Sequence, residues 1–134
     1  MGKIASGGEL SRISLALKTA MGDADSREDV HTLVFDEVDA GVGGAAAASV
    51  GKRLKALAGS NQVICVTHLA QIAGFADHHY AVAKAEKKGR VVTDVHELDR
   101  EQGAREIARM LSGETITAEA LKQAEQLMQA GKTH

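Results

Sequence analysis

The chain has 134 residues, which is the length of one domain and is enough to bury a hydrophobic core. Hydrophobic residues make up 44% and charged residues 25%, as in ordinary globular proteins, and no apolar run approaches the roughly 20 residues that cross a bilayer. A net charge of -2 and an aromatic content of 2% disfavour a dedicated nucleic-acid binder, and the single cysteine excludes an internal disulfide. We therefore expect a cytoplasmic domain without a membrane partner.

The first half of the chain predicts helices and strands in alternation. Apolar residues at helical spacing predict a helix from Leu10 to Met21, and the polar segment after it predicts a loop. The short apolar run Thr32–Phe35 predicts a strand that is buried on both faces. A loop containing glycine then leads to a predicted helix over Ala45–Ala58, and Gly59 is placed to end it.

The second half predicts another buried strand, a short helix, a pair of strands joined by a turn, and two final helices. In chain order these are Gln62–Thr67, Leu69–Ala76, Tyr80–Lys84 with Arg90–Val95, Gln102–Leu111, and Ala118–Ala130 with Thr117 as its cap. Strands that alternate with helices predict an α/β fold with a mostly parallel sheet flanked by helices. The strand pair adds a small hairpin, and the last two predicted elements are C-terminal helices.

A glycine-rich turn, Ser6-Gly7-Gly8-Glu9, precedes the first predicted helix. Backbone amides at the start of a helix lack partners within the helix and lie at the positive end of its dipole. Because Gly7 and Gly8 have no Cβ atoms, a phosphate can approach these amides closely, and the Ser6 hydroxyl adds a donor. The alternative is an ordinary loop that caps the helix.

Two segments with reactive side chains stand at the ends of predicted strands. Asp36 and Glu37 come after the first strand, and His68 comes after the second. In parallel sheets, ligands gather at the C-terminal ends of the strands. One carboxylate can hold Mg²⁺, the other can orient a water towards a phosphate, and the histidine can donate to a phosphate oxygen. The alternatives are a solvated acidic pair and a histidine that caps a strand.

Three other groupings carry less weight. The glycines of Asp39–Gly44 resemble a dinucleotide-binding loop, but the acidic residues beside them would repel a pyrophosphate, which argues against a Rossmann-type oxidoreductase. The histidine pair His78-His79 fits no common zinc spacing. The basic cluster within Lys84–Arg90 is most simply a solvated hairpin tip, and contact with a phosphate backbone is its alternative reading.

The order of these parts resembles the C-terminal half of an ABC-type ATPase head. Ser6–Ser11 resembles the signature motif, and Leu33–Glu37 resembles the Walker B strand with its following glutamate. Asp39 resembles the D-loop aspartate and His68 the switch histidine.

The spelling of these motifs is closer to the chromosome-maintenance branch than to transporters, which usually have Gln and Pro where this chain has Glu9 and Val38. Together with Thr67–Ala73 and Glu106–Gly113, the motifs are similar to the RecN family, the SMC-like ATPases of bacterial DNA double-strand-break repair. Ala70 departs from this pattern, in which a proline is expected.

The resemblance implies a role for each candidate residue in ATP hydrolysis. Asp36 would help to hold Mg²⁺, Glu37 would position the attacking water, and His68 would contact the γ-phosphate of the ATP on its own subunit. Asp39 would couple the two sites of a head dimer. The signature residues would grip the ATP held by the other subunit: Ser6, Gly7, Gly8 and Glu9.

The sequence contains no Gly-x-x-x-x-Gly-Lys-Ser/Thr phosphate loop and no long heptad segment. In the family, these lie in the N-terminal half of the head and in a coiled coil. We therefore expect residues 1–134 to be a single-domain fragment of the head that is inactive as an ATPase by itself. The resemblance also implies a homodimer through ATP-sandwiched heads, DNA as a partner of the full-length protein, and a location at the nucleoid.

Two other functions stay open at this stage. One is the ATPase half of an ABC transporter, against which the spellings at Glu9 and Val38 argue. The other is a non-catalytic α/β interaction module whose glycine-rich loops are structural.

Overall fold

The computed structural model describes residues 31–36 and 41–133. In chain order they form strand β1 (Thr32–Asp36), helix α1 (Gly44–Leu57), strand β2 (Gln62–Val66), helix α2 (Ala70–Ala73), strands β3 (His79–Lys87) and β4 (Arg90–Leu98), and helices α3 (Arg100–Ser112) and α4 (Ala118–Lys132). The predicted α/β class, the hairpin and the two C-terminal helices are confirmed. The predicted helix Leu10–Met21 lies outside the described residues.

Strands β1 and β2 form a parallel pair, in which Thr32 is the Cα partner of Gln62 and Asp36 is the partner of Val66. Parallel neighbours need a crossover connection, and α1 supplies it. The strands β3 and β4 form a separate antiparallel hairpin, so the described residues contain two sheets of two strands each.

The main core lies between α1 and one face of the parallel pair. Phe35 of β1 is buried, as are Val50, Leu54 and Leu57 of α1, and these residues pack together with Ile72 of α2. In this cluster, the apolar stripe of an amphipathic helix covers the apolar side of a sheet, as is usual in α/β folds.

The prediction that both parallel strands are buried on both faces is wrong for the described residues. Side chains alternate along a strand, so Leu33 and Phe35 face the core, whereas Val34 points the other way and is 60% exposed. In β2, Ile64 and Val66 are likewise 46% and 57% exposed. The apolar run was correctly read as a strand, but α1 covers only one of its faces.

A second core joins the C-terminal helices to α2. Its buried members are small apart from one isoleucine: Ala70, Ile107, Ala108, Ala120 and Ala124. Small side chains let the helix axes approach closely. At one place the approach is closer still, because a Cβ added at Gly131 would lie 2.1 Å from the carbonyl oxygen of Gly74.

The helix ends follow local chemistry. Asp99 caps α3 by a capping box, in which its side chain accepts from the Gln102 amide and the Gln102 side chain accepts from the Asp99 amide. Thr117 caps α4, as predicted, by accepting from the Ala120 amide at 3.1 Å. Helix α1 ends at Leu57, and Gly59 follows its C-cap without adopting a positive φ.

Candidate functional site

The C-terminal edge of the parallel pair brings together residues from two distant parts of the sequence. Asp36 is the last residue of β1, and its partner Val66 is the last residue of β2. His68 follows two residues after Val66 and is exposed. The parallel register therefore places an aspartate and a histidine at the same edge of the sheet, as the sequence predicted.

The turn after β2 is held by a local hydrogen bond. The Leu69 amide donates to Oγ1 of Thr67 at 3.0 Å, across the position of His68. Short side-chain-to-backbone bonds of this kind define tight turns. The turn leads straight into α2, whose buried Ala70 and Ile72 tie it to both cores. The backbone at His68 is consequently anchored on both sides.

The residues just before α1 are shaped by two glycines. Gly41 has a φ of +71°, a conformation that side chains with a Cβ rarely adopt. Gly43 is the N-cap of α1 and makes no side-chain capping bond, because it has no side chain to make one with. The start of this 14-residue helix lies near α2, because a Cβ added at Gly44 would be 4.0 Å from Nε2 of Gln71. The first amides of a helix favour negative charge nearby.

The structure describes only part of the predicted site. Asp36 ends β1 and His68 follows β2 at the same edge of the sheet. The other predicted site residues lie outside the described residues: Ser6, Gly7, Gly8, Glu9, Glu37 and Asp39.

The donors at this edge suit a hard cation of the Mg²⁺ type. Across residues 31–36 and 41–133, no three His, Cys, Asp or Glu side chains converge as a metal-binding group. Dedicated protein cages are not how Mg²⁺ is usually held: it takes one or two carboxylates, several waters, and phosphate oxygens of the substrate. Asp36 supplies one exposed carboxylate at the end of a strand and so fits that ligand set.

A second polar cluster lines a cavity of about 200 Å³ between α1, the start of β3 and the end of α4. Lys55 pairs with Asp77, and Nδ1 of His78 lies 3.2 Å from a carboxylate oxygen of Glu97. His79 differs from these paired side chains, because its Nε2 is buried without a hydrogen-bond partner.

Burial, and to a lesser extent the charge of the neighbouring His78, lowers the pKa of His79. The ring packs beside Gly103 of α3, where an added Cβ would lie 3.2 Å from Cδ2 of the imidazole. The spacing of this histidine pair argued against a zinc site, and the burial of His79 Nε2 was not predicted. Successive side chains at the start of a strand point to opposite faces, so one histidine of an adjacent pair is expected to face solvent and the other to face the protein interior. This alternation is the sequence signal that could have identified His79 as the inward-facing residue.

No helix among the described residues is long and apolar enough to span a bilayer.

Comparison with known proteins gives strong sequence relatives, although no family model matches the chain. The DNA repair protein RecN of Deinococcus radiodurans is 52% identical over 125 residues, which is 93% of this chain and 21% of that protein. RecN of Treponema pallidum is 46% identical over 131 residues (98% and 22%), and RecN of Vibrio cholerae is 48% identical over 126 residues (94% and 22%). The chain thus spans about one fifth of the length of these relatives.

The fold has a counterpart among solved structures. This chain superimposes on one solved protein chain with a TM-score of 0.55 at 23% sequence identity. That structure is described as "Structural biochemistry of ATP-driven dimerization and DNA stimulated activation of SMC ATPases". The match covers 85% of this chain and 70% of that one. The chain therefore shares the fold of that protein, which confirms the predicted α/β fold class.

Proposed function

We propose that this chain, a homologue of the RecN proteins over the segment it spans, forms part of an ATP-hydrolysing head that acts in DNA double-strand-break repair. The observation that carries the proposal is the parallel register, which sets Asp36 beside Val66 and brings His68 to the same edge. A Walker B aspartate and a switch histidine need this placement, because both have to reach one triphosphate.

Each side chain has a distinct task in this proposal. The carboxylate of Asp36 holds Mg²⁺, directly or through water. When bound, the ion neutralises charge that develops on the transferring phosphoryl group. Glu37 orients and polarises the attacking water, and the imidazole of His68 donates to a γ-phosphate oxygen.

The remaining predicted residues belong to the dimer. Ser6, Gly7, Gly8 and Glu9 cover the nucleotide bound to a second head, and Asp39 couples the two sites. Phosphoryl transfer depends on positioning and charge neutralisation, so dividing these groups between two heads makes hydrolysis depend on dimerisation. In the longer protein, release of the heads after hydrolysis would regulate how DNA is tethered.

The test is a chimera in which this chain replaces the matching segment of Deinococcus radiodurans RecN, assayed for turnover of Mg-ATP. Glu37→Gln should lower kcat by about 10²-fold or more, the usual contribution of a positioned general base, while nucleotide binding persists. Asp36→Asn should raise the Mg²⁺ concentration needed for half-maximal turnover. Glu125→Gln, an exposed carboxylate change on α4, should leave both quantities unchanged.

The same chimera separates the proposal from a non-catalytic interaction module. A module of that kind predicts that Asp36→Asn and His68→Ala leave turnover unaffected, because the residues would be structural. Turnover equal to that of the unsubstituted chimera in Glu37→Gln would refute the role of the glutamate. Binding of a fluorescent ATP analogue shows whether a variant that has lost turnover still has a folded head.

A further inference from the structure

The tip of the β3–β4 hairpin concentrates positive charge on a chain that is acidic overall. Residues 84–90 carry four cations and one carboxylate, Glu86, a local balance of +3 against -2 for the whole chain. Within the described part of the chain, the side chains of these four cations form no ion pair or hydrogen bond: Lys84, Lys87, Lys88 and Arg90. Elsewhere several cations are neutralised locally, as Arg109 is by Glu106 and Lys55 by Asp77.

The hairpin projects away from the described helices. Every residue from Val82 to Glu97 is exposed, so neither face of the outer hairpin is covered by the described residues. The nine Cα atoms of such a strand span about 27 Å, eight steps of 3.4 Å. In the hairpin only residues at its base are partly buried: His79, Ala81 and Leu98. The basic tip is therefore held well clear of the two cores.

A tight turn connects the two strands at the tip. Lys88 and Gly89 form the two-residue turn with φ values of 51° and 73°, as in a type I′ hairpin, and Lys87 is paired with Arg90 on either side of it. Strand alternation puts Lys87 and Arg90 on one face of the ribbon and Lys84 on the other. Cations thus flank both faces of a narrow two-stranded ribbon.

We propose that this basic hairpin tip binds the phosphate backbone of duplex DNA. A two-stranded ribbon fits the major groove, which has a row of phosphates on each side, and cations on both faces of the ribbon can reach both rows. The alternative partner is an acidic protein surface. Such a surface would contact only one face of the ribbon, so Lys84 and the pair Lys87 and Arg90 could not both bind it. Single strands are disfavoured because the hairpin's one aromatic residue, Tyr80, lies at its base and away from the cations.

This inference goes beyond the nucleotide chemistry proposed above and needs no ATP. Its test is the binding of the 134-residue chain to a fluorescein-labelled DNA duplex, measured by anisotropy at increasing NaCl without nucleotide. Four phosphate contacts predict a slope of about -3.6 for log K against log salt, or roughly a 100-fold loss of affinity for a fourfold rise in salt. Duplexes of permuted sequence should bind equally, because phosphate contacts carry no base readout.

The triple variant K84Q/K87Q/R90Q should lower the magnitude of the slope to about 0.9, while the turn residues Lys88 and Gly89 stay in place. Its matched control is K52Q/R53Q/K122Q, which removes three exposed cations from α1 and α4 and should keep the slope of the unsubstituted chain. Unchanged far-UV circular dichroism shows that the triple variant is folded.

A second test looks for tighter DNA binding, a result that misfolding of the variant would not produce. Glu86→Gln removes the one carboxylate of the tip and should tighten duplex binding roughly two- to fivefold at low salt, the range of an exposed charge interaction. The proposal is overturned if Glu86→Gln binds no more tightly, if the triple variant keeps the full slope, or if the control loses as much. It is also overturned if polyglutamate displaces the duplex more effectively than unlabelled DNA does.

Discussion

Asp36 and Val66 are Cα partners at the last position of the parallel pair, so the end of β1 and the end of β2 lie side by side. His68 follows Val66 by two residues, and the Thr67 hydroxyl accepts a hydrogen bond from the Leu69 amide across it. This register brings the backbone at Asp36 and the segment that carries His68 to the same edge of a small sheet, although 31 residues separate them in the chain.

The isolated 134-residue chain should show no turnover of Mg-ATP above the rate of a buffer blank. It lacks the phosphate-loop sequence and its lysine, which supply the main grip on the triphosphate. A coupled phosphate-release assay measures this. Activity that Glu37→Gln abolishes would contradict the prediction, whereas activity that survives Glu37→Gln would indicate a contaminating enzyme.

The stability of the chain should fall as the pH drops below about 6.5, the ordinary pKa of histidine, because burial lowers the pKa of His79 in the folded state. The unfolded chain then takes up a proton that the folded chain excludes, so unfolding becomes more favourable until the folded pKa is also passed. Urea unfolding at a series of pH values measures the effect.

His79→Gln should flatten that dependence between neutral and mildly acid pH. The control is Leu98→Ala, which truncates a half-buried neighbour lining the same cavity. It should lower the free energy of unfolding at every pH without changing the slope. A pH profile of His79→Gln that matches that of the unsubstituted chain would rule out a contribution from this imidazole.

Gly131→Ala should destabilise the chain by about 1–3 kcal/mol, because the new methyl group would meet the carbonyl oxygen of Gly74 and force α4 away from α2. Helix propensity acts in the opposite direction and returns up to about 1 kcal/mol. Gly44→Ala is the matched control, since an added Cβ there has only the side chain of Gln71 near it, at 4.0 Å. In chemical unfolding, the free energy of unfolding of Gly131→Ala should be well below that of Gly44→Ala. Equal free energies would refute the close approach of Gly131 to the Gly74 carbonyl.

Asp99→Ala should cost about 1 kcal/mol, because it removes the acceptor for the Gln102 amide and the charge at the start of α3. Asp94→Ala removes an exposed aspartate that contacts His96 on the hairpin, and it should change the free energy of unfolding by less than about 0.5 kcal/mol. A cost at Asp99 no greater than that at Asp94 would show that the capping box adds nothing to stability.

Much of the fold was predictable because its signals are local. The helical spacing over Ala45–Ala58 gave α1 to within one residue at each end, and the Thr117 hydroxyl marked the start of α4. The hairpin was predicted with its turn in the right place, but its strands extend farther than expected, from His79 to Leu98. Strand ends are set by pairing across the ribbon, which a single strand does not reveal.

The candidate site divides in the same way. The chemical types at its strand ends, Asp36 and His68, could be read from the order of residues, because buried strands and the polar positions after them are visible in a sequence. That they share an edge depends on the register of β1 against β2, which only the folded chain specifies.

The kinds of elements, their order, their caps and the residue types at the strand ends depend on neighbours within a few positions along the chain, so they could be predicted from the sequence. The folded structure is needed to show which faces are covered: α1 packs on the Phe35 side of the sheet, and Val34 on the opposite side stays exposed. It also half-buries His79 beside Gly103, with Nε2 enclosed. Burial and register depend on residues far away in sequence, and hydrophobic periodicity does not identify them.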